Sequence, residues 1–344
     1  MAYISFQPQD YFNTVLYNGT GSAQSITGVG FQPDWLWQKS RSNSQDGRIF
    51  DAVRGGSKLI YPSLTNAEST NAQLITSFDS DGFTMGSSGS NVNDSGTTNV
   101  AWNWKANGQG SSNTDGSINT TYTSANTTSG FSIVKYTGTG SNATVGHGLG
   151  VAPKVVIVKD LSSSGAWRMY TEMTGNESQL ALDQTSAADS GNTSMWNSTS
   201  PTTTTFSIGT HGNVNTSSNN YVAYCFAEKK GFSKFGSYSA NNNADGPMIY
   251  TGFSPAFVMI KSSNDTRDWC ILDNKRPAYN VVNKDLRANE TDAESTQDRL
   301  DFLSNGFKLR NASGAYNSTG NTYIFMAFAE APLVGSNNVP ANAR

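Results

Sequence analysis

An all-β chain of three tandem, jelly-roll-like β-sandwich units, each of about 100 residues, is the fold class this sequence predicts, and three observations predict it. The first is a nine-residue phrase, Phe31-Gln-Pro-Asp-Trp-Leu-Trp-Gln-Lys39, which returns as Val151-Ala-Pro-Lys-Val-Val-Ile-Val-Lys159 and as Phe253-Ser-Pro-Ala-Phe-Val-Met-Ile-Lys261. Each copy reads as a strand with a proline-stiffened entry, a β-branched or aromatic middle and a charged exit. The second is a constant frame: Pro33, Pro153 and Pro255 are spaced by 120 and 102 residues, and Asn99, Asn220 and Asn321, each opening an aromatic-rich strand, by 121 and 101. Fixed offsets of this kind mark an internal repeat. The third is that short strands bounded by Gly, Asn and Ser recur, while long segments of helical period do not.

Residues 1–16 precede the first unit as an aromatic-rich arm that packs on its own unit or on another subunit. The first unit, 17–108, opens on the turn Tyr17-Asn-Gly-Thr-Gly21, continues through the lead strand and a hairpin at Phe78-Asp-Ser-Asp-Gly-Phe83, and closes on Val100, Trp102 and Trp104, which share one sheet face. Residues 109–129 are Gly, Ser, Asn and Thr with almost nothing apolar, the composition of a linker or a long exposed loop. The second unit, 130–231, opens on Tyr136-Thr-Gly-Thr-Gly140, and the third spans 232–332. In the third, residues 285–303 carry Leu286, Leu300 and Leu303, a weak apolar stripe that makes them the one helical candidate. Residues 333–344 form a small-residue tail.

Composition narrows the function classes. Only 14% of residues are charged and the net charge is −3, so there is no basic stripe for phosphates and nucleic acid is excluded as a partner. No apolar run has the length of a membrane span, and the first residues lack a basic stretch followed by an apolar one, which predicts synthesis in a cytoplasm without secretory export or membrane insertion. Two cysteines, Cys225 and Cys270, sit in apolar strand contexts and read as buried free thiols.

Chemistry is sparse. The two histidines, His147 and His211, lie beside glycines in turns, without the spacing of a metal site or a nucleophile–base pair. No catalytic, cofactor-binding or metal-ligating residue is assigned, and no cofactor is implied. Asp79-Ser-Asp-Gly82 has half of a calcium loop but no later bidentate glutamate, so a hairpin turn accounts for it better. Asp51-Ala-Val-Arg54 recurs as Asp273-Asn-Lys-Arg276, whereas the second unit has Thr171 and Thr174 at those positions. An ion pair closing a loop is one reading of Asp51, Arg54, Asp273 and Arg276, and ligand contact is the other. On the ligand reading, replacing both aspartates by alanine leaves the protein folded. Glu68 and Glu294, in the shared phrase Ala-Glu-Ser-Thr, read as repeated loop caps rather than as a converging glycosidase pair. Of the seven tryptophans, Trp196 lies in polar surroundings and is the candidate for an exposed, sugar-stacking side chain, with a loop anchor as the alternative.

In their order along the chain, Phe31-Gln-Pro-Asp-Trp35, Phe78-Asp-Ser-Asp-Gly-Phe83, Trp102-Asn-Trp-Lys-Ala-Asn-Gly108, Gly146-His-Gly-Leu-Gly150, Tyr221-Val-Ala-Tyr-Cys-Phe-Ala-Glu228 and Ala327-Phe-Ala-Glu-Ala-Pro-Leu-Val-Gly335 resemble a family of tail-fibre-like or structural virion proteins of tailed, often marine, bacteriophages. The resemblance implies a non-enzymatic virion protein on the tail or its fibres that adheres to host-surface polysaccharide. A capsid decoration protein is the alternative, and a polysaccharide-degrading tailspike ranks behind both. The partners so implied are other virion proteins and host glycans, with a symmetric homo-oligomer as the expected assembly.

Overall fold

The computed structural model describes residues 4–87, 91–277 and 279–334. Part of the predicted arm, residues 1–3, and most of the predicted tail, residues 335–344, lie outside these. The chain is all-β, and the repeat seen in the sequence is a repeat of strand order.

The first unit carries β1 (Phe12–Asn18), β2 (Gln24–Thr27), β3 (Trp35–Ser40), β4 (Arg48–Asp51), β5 (Lys58–Leu59), β6 (Ser69–Thr70), β7 (Ile75–Asp79), β8 (Gly82–Met85) and β9 (Thr98–Trp104). Its main sheet runs β1-β9-β3-β4 and a smaller one β2-β8-β7. The second carries β10 (Ser111–Asn113), β11 (Thr120–Asn126), β12 (Phe131–Thr137), β13 (Ala143–Gly146), β14 (Val155–Asp160), β15 (Arg168–Thr171), β16 (Ser178–Gln179), β17 (Asp189–Ser190), β18 (Thr205–Ile208) and β19 (Asn220–Phe226), with one-turn helices α1 (Thr193–Trp196) and α2 (Gly212–Asn215). Its main sheet is β10-β11-β12-β19-β14-β15. The third carries β20 (Ser233–Ser239), β21 (Met248–Tyr250), β22 (Phe253–Ser262), β23 (Cys270–Asp273), β24 (Val282–Arg287), β25 (Ser295–Leu303), β26 (Gly306–Leu309) and β27 (Thr322–Pro332), joined in one eight-stranded sheet, β20-β27-β22-β23-β24-β25-β26-β21. Each unit thus places its closing strand between its opening strand and its lead strand, all antiparallel.

Alternation along these strands sorts side chains onto two faces. One face of each main sheet feeds a single core common to all three units: Phe12, Trp35 and Trp104 from the first, Phe131, Ile157 and Phe226 from the second, Phe257, Met259 and Phe328 from the third. Aromatic rings cross the boundaries, Trp35 lying 4.8 Å from Tyr224, Trp104 5.5 Å from Phe257 and Phe226 5.9 Å from Phe328, centroid to centroid. The opposite faces feed three separate clusters, one per unit. The molecule therefore does not divide into three self-contained sandwiches: the units stand around one core, and none can bury its inner face alone.

Four local expectations are corrected. Residues 12–16, assigned to the arm, belong to β1, because Phe12 pairs with Trp104 across the whole first unit. The remainder of the described arm packs on the third unit, with Phe6 5.5 Å from Phe232. The stretch 109–129 is no linker: β10 and β11 within it extend the second sheet, Tyr122 pairing with Lys135 and Asn126 with Phe131. A Thr-rich strand needs few apolar residues towards the outside of a sheet, and here Tyr122 meets the shared core and Ala125 the second unit's outer core. Residues 285–303, the helical candidate, form the end of β24, a loop and β25, where Val282 faces Leu300; cross-strand burial of Leu286 and Leu300 overrides the weak helical stripe.

Candidate functional site

The three lysines that end the lead phrases are not charged exits to solvent. Lys39, Lys159 and Lys261 are all but inaccessible, and each ammonium sits among backbone carbonyls. Lys159 Nζ donates to Asp160 O (2.9 Å) and Gly165 O (2.9 Å) in its own unit and to Thr65 O (3.1 Å) in the first. Lys261 Nζ reaches Ser262 O (2.9 Å) and, across the boundary, Thr185 O (2.9 Å). Lys39 Nζ reaches Gln45 O (3.0 Å) and Glu290 O (2.6 Å) of the third unit. The first unit thus grips the third, the second grips the first and the third grips the second, which closes a ring. Burial pushes all three ammonium groups down to about 8.

The phrase around Glu68 and Glu294 runs beside these lysines. Glu68 N donates to Leu161 O (3.1 Å), Ala188 N to Ser263 O (2.8 Å) and Glu294 N to Arg41 O (2.9 Å), one strap per boundary in cyclic order. Glu294 also takes Arg41 of the first unit in a two-pronged pair, 2.9 and 3.1 Å, while Glu68 accepts from Arg54 at 3.2 Å. Glu68 and Glu294 thus sit at different boundaries, each held by its own arginine and lysine partners.

The Asp-x-x-Arg pairs belong to the same ring. Asp51 and Asp273 have no exposed surface; each caps its arginine's backbone N–H with one oxygen and holds Nε with the other, at 2.5 Å for Arg54 and 2.6 Å for Arg276. A neighbouring unit completes each site: Tyr224 Oη donates to Asp51 Oδ2 (2.7 Å) and Trp102 Nε1 to Asp273 Oδ2 (2.9 Å). Strand register puts Met326 of the third unit at the position held by Trp102 and Tyr224. Methionine has no proton to give, and the second unit accordingly has Thr171 in place of aspartate. Asp51, Arg54, Asp273 and Arg276 are thereby spent on inter-unit bonding, and the ligand reading of these four is corrected.

Trp196 is corrected as well. It is 2% exposed, donates from Nε1 to Ser178 O (3.1 Å) and meets Tyr170 edge-on at 6.0 Å. The polar stretch around it folds into α1, which turns Met195 and Trp196 into the second unit's outer core and leaves the polar neighbours outside. It is the loop anchor.

Other polar motifs are also internal. Asp81 accepts from the N–H groups of Gly28 (3.1 Å) and Gly30 (2.6 Å), so the half calcium loop is a hairpin turn between β7 and β8. His147 is buried, accepting from Leu149 N at Nδ1 with Nε2 3.1 Å from Thr202 O, and burial lowers its pKa; His211 caps α2 through Nδ1. Cys225 and Cys270 are buried free thiols pushed up to about 12 by desolvation. Among the described residues no group of three or more His, Cys, Asp or Glu side chains is placed to hold a metal ion, and no helix is long and apolar enough to cross a membrane. A repeat that the sequence reading missed is Asn93, Asn215 and Asn317, whose side chains each hold the backbone of the unit's opening turn beneath Tyr17, Tyr136 and Tyr238. Their constant offsets were there to be read, but asparagine in a loop looks like any turn residue.

A recess lies in the second unit, at the edge of the shared core. It has a volume of about 180 Å³ and is lined by Asn119, Thr121, Tyr122, Lys135, Thr137 and Asn220, where the inner sheet face emerges from the shared core. No carboxylate lines it. Sequence reading passed it over because half of it lies in the supposed linker, where the lone aromatic, Tyr122, was the only signal.

No curated protein matches the chain. Residues 7–332 match the family model described as a domain of unknown function, DUF7483, a span that takes in all three units and the bonds closing the ring, and the chain belongs to that family.

Proposed function

We propose that this chain is a non-enzymatic structural protein of a tailed-bacteriophage virion, carried on the tail or its fibres and adhering to host-surface polysaccharide. The observation that carries the reading is the use made of the polar motifs. Lys39, Lys159, Lys261, the two Asp–Arg pairs and Glu294 are all spent on closing a three-unit ring rather than on lining a cleft. Such an economy suits a rigid particle component. The neutral surface rich in Gly, Ser, Thr and Asn suits adhesion without attraction by bulk charge. The resemblance of several phrases to those of tail-fibre-like virion proteins supports the same reading, and a symmetric multimer of the chain on the particle is part of it.

A second reading, decoration of the capsid, is favoured by the ring itself, since a body with three similar units fits a local three-fold position of a shell. A cryo-electron-microscopy map of the phage particle separates the two. Ring-shaped density at the tail supports the first and density on the shell the second. Particles that carry no copy of the chain sink both.

A further inference from the structure

A ring of three similar units offers a way to tell structure from specialisation. Features present at all three boundaries hold the ring, and a polar feature present once and bonded to no neighbouring unit has no such duty. Lys135 is the informative case. It pairs in register with Val222, which also pairs with Lys159; the same register gives Leu16 in the first unit and Ser237 in the third. Neither counterpart is charged, so the lysine is not required by the strand. Its neighbour Tyr122 is on β11, and the main sheets of the other two units have no strand in that place.

A second observation concerns bonding within the recess. Many Asn, Thr and Lys side chains elsewhere are tied into turns, caps and ion pairs. Here the side chains of Asn119, Thr121, Tyr122 and Lys135 make no hydrogen bond or ion pair among the described residues, although all four line one cavity. Thr137 Oγ1 donates to Asn220 Oδ1 (3.2 Å), which leaves Asn220 Nδ2 able to donate elsewhere. Tyr122 and Lys135 are directly opposed across two antiparallel strands, so their side chains leave the same face of the sheet, and both line the recess.

We infer that this recess is a binding subsite for one acidic pyranose residue, a uronic-acid-type sugar within a polysaccharide. Tyr122 offers a face for the sugar's C–H surface, Lys135 a cation for its carboxylate, and Asn119, Thr121 and Asn220 offer amide and hydroxyl groups for its ring hydroxyls. A volume of about 180 Å³ is below the range of drug-sized pockets and takes a single ring. One such contact is weak, and multiple copies on a particle would supply the avidity. The inference rests on the adhesive half of the proposed function and names its site and ligand class.

The test is calorimetric titration of the full chain with trigalacturonate and with its neutral counterpart trigalactose, alongside adsorption of the labelled chain to host cells. The expected result is binding of the acid at least about tenfold tighter than the neutral sugar, equivalent to ~1.4 kcal/mol. Lys135→Met removes that preference and Lys135→Arg keeps it, both with melting temperatures unchanged because Lys135 has no hydrogen-bond or ion-pair partner to lose, while Tyr122→Ala weakens both sugars and, since Tyr122 also packs on the shared core, lowers the melting temperature. Trigalacturonate binding that survives both Lys135→Met and Tyr122→Ala overturns the assignment. So does wild-type protein that adsorbs to cells but binds neither trisaccharide, a result that leaves adhesion standing. Wild-type protein that neither adsorbs nor binds removes the adhesive reading along with the site.

Discussion

Replacing Lys159 by methionine isolates one of the three buried ammonium groups that close the ring. Burial holds the folded-state pKa at about 8, against 10.5 in the unfolded chain. Below pH 8 both states carry the proton and the lysine contributes no slope. Between 8 and 10.5 the unfolded chain keeps a proton that the folded protein has released, so stability rises with pH; above 10.5 both are neutral and the gain is complete. At about 1.4 kcal/mol per pH unit the gain is at most ~3 kcal/mol. Methionine has nothing to titrate in this window. The buried thiols and tyrosines, which lower stability above about pH 9 because their folded pKa values are raised, act equally on both proteins and cancel in the difference. The difference between wild type and Lys159→Met is therefore expected to widen from pH 8 to 10.5. Unfolding entropy of about 2.1 cal/mol/K per residue over the chain converts ~3 kcal/mol into roughly 4 °C. Scanning calorimetry at pH 7, 8, 9 and 10 reads it. A constant gap would refute the reasoning, because it would mean that the carbonyls of Thr65, Asp160 and Gly165 hold the proton as firmly as water does.

Three further outcomes follow from the same geometry. Asp273→Asn leaves the buried Arg276 guanidinium with only its longer contact to Glu294 (3.5 Å) as counter-charge and is expected to cost about 3 kcal/mol, whereas Asp245→Asn, which breaks an exposed pair with Lys308, costs far less; thermal melts of the two variants compare them directly. Tyr17→Phe, Tyr136→Phe and Tyr238→Phe each remove a buried hydroxyl bonded to a carbonyl (Val92, Val214 and Tyr316 respectively), at ~1–2 kcal/mol each. The three losses should add in the triple variant, since the sites lie in separate outer clusters, and denaturant titration measures the sum. Cys225 and Cys270 are expected to resist a disulfide reagent at pH 8 in the native protein and to react, two per chain, once denatured.

Much of the fold was legible because the repeat places its landmarks at fixed intervals: the proline-to-lysine phrases became β3, β14 and most of β22, and the Asp-Gly-Phe and Asn-Gly-Phe turns became the β7–β8 and β25–β26 hairpins. The misses share a cause. Phe12, the β11 strand and Leu286 take their conformation from partners far along the chain or across a sheet, and local composition carries no trace of those partners. The Asp–Arg spacing announced an ion pair, but not that Tyr224 and Trp102, some 170 residues away, would complete it. Trp196 misled for the opposite reason, since polar neighbours in sequence suggested exposure when a single helical turn was enough to bury the ring. Lys135 and Tyr122 were each visible, yet only the pairing of β11 with β12 brings them together.

The way the ring closes bears on how the repeat can diverge. Every boundary is held by the same kinds of contact: a caged lysine, a backbone strap and, at two of the three, an Asp–Arg pair completed by the neighbour. A substitution in one copy is therefore felt by the adjacent unit, and the exchange of aspartate for Thr171 opposite the register of Met326 is the kind of matched change this coupling requires. Positions on the far ends of the strands carry no such constraint. There Leu16, Lys135 and Ser237 differ in size, polarity and charge at one structural position without disturbing the core. A symmetric scaffold thus leaves its freedom to specialise at the rim where the inner sheet faces meet solvent, which is where the unpartnered lysine and its tyrosine are found.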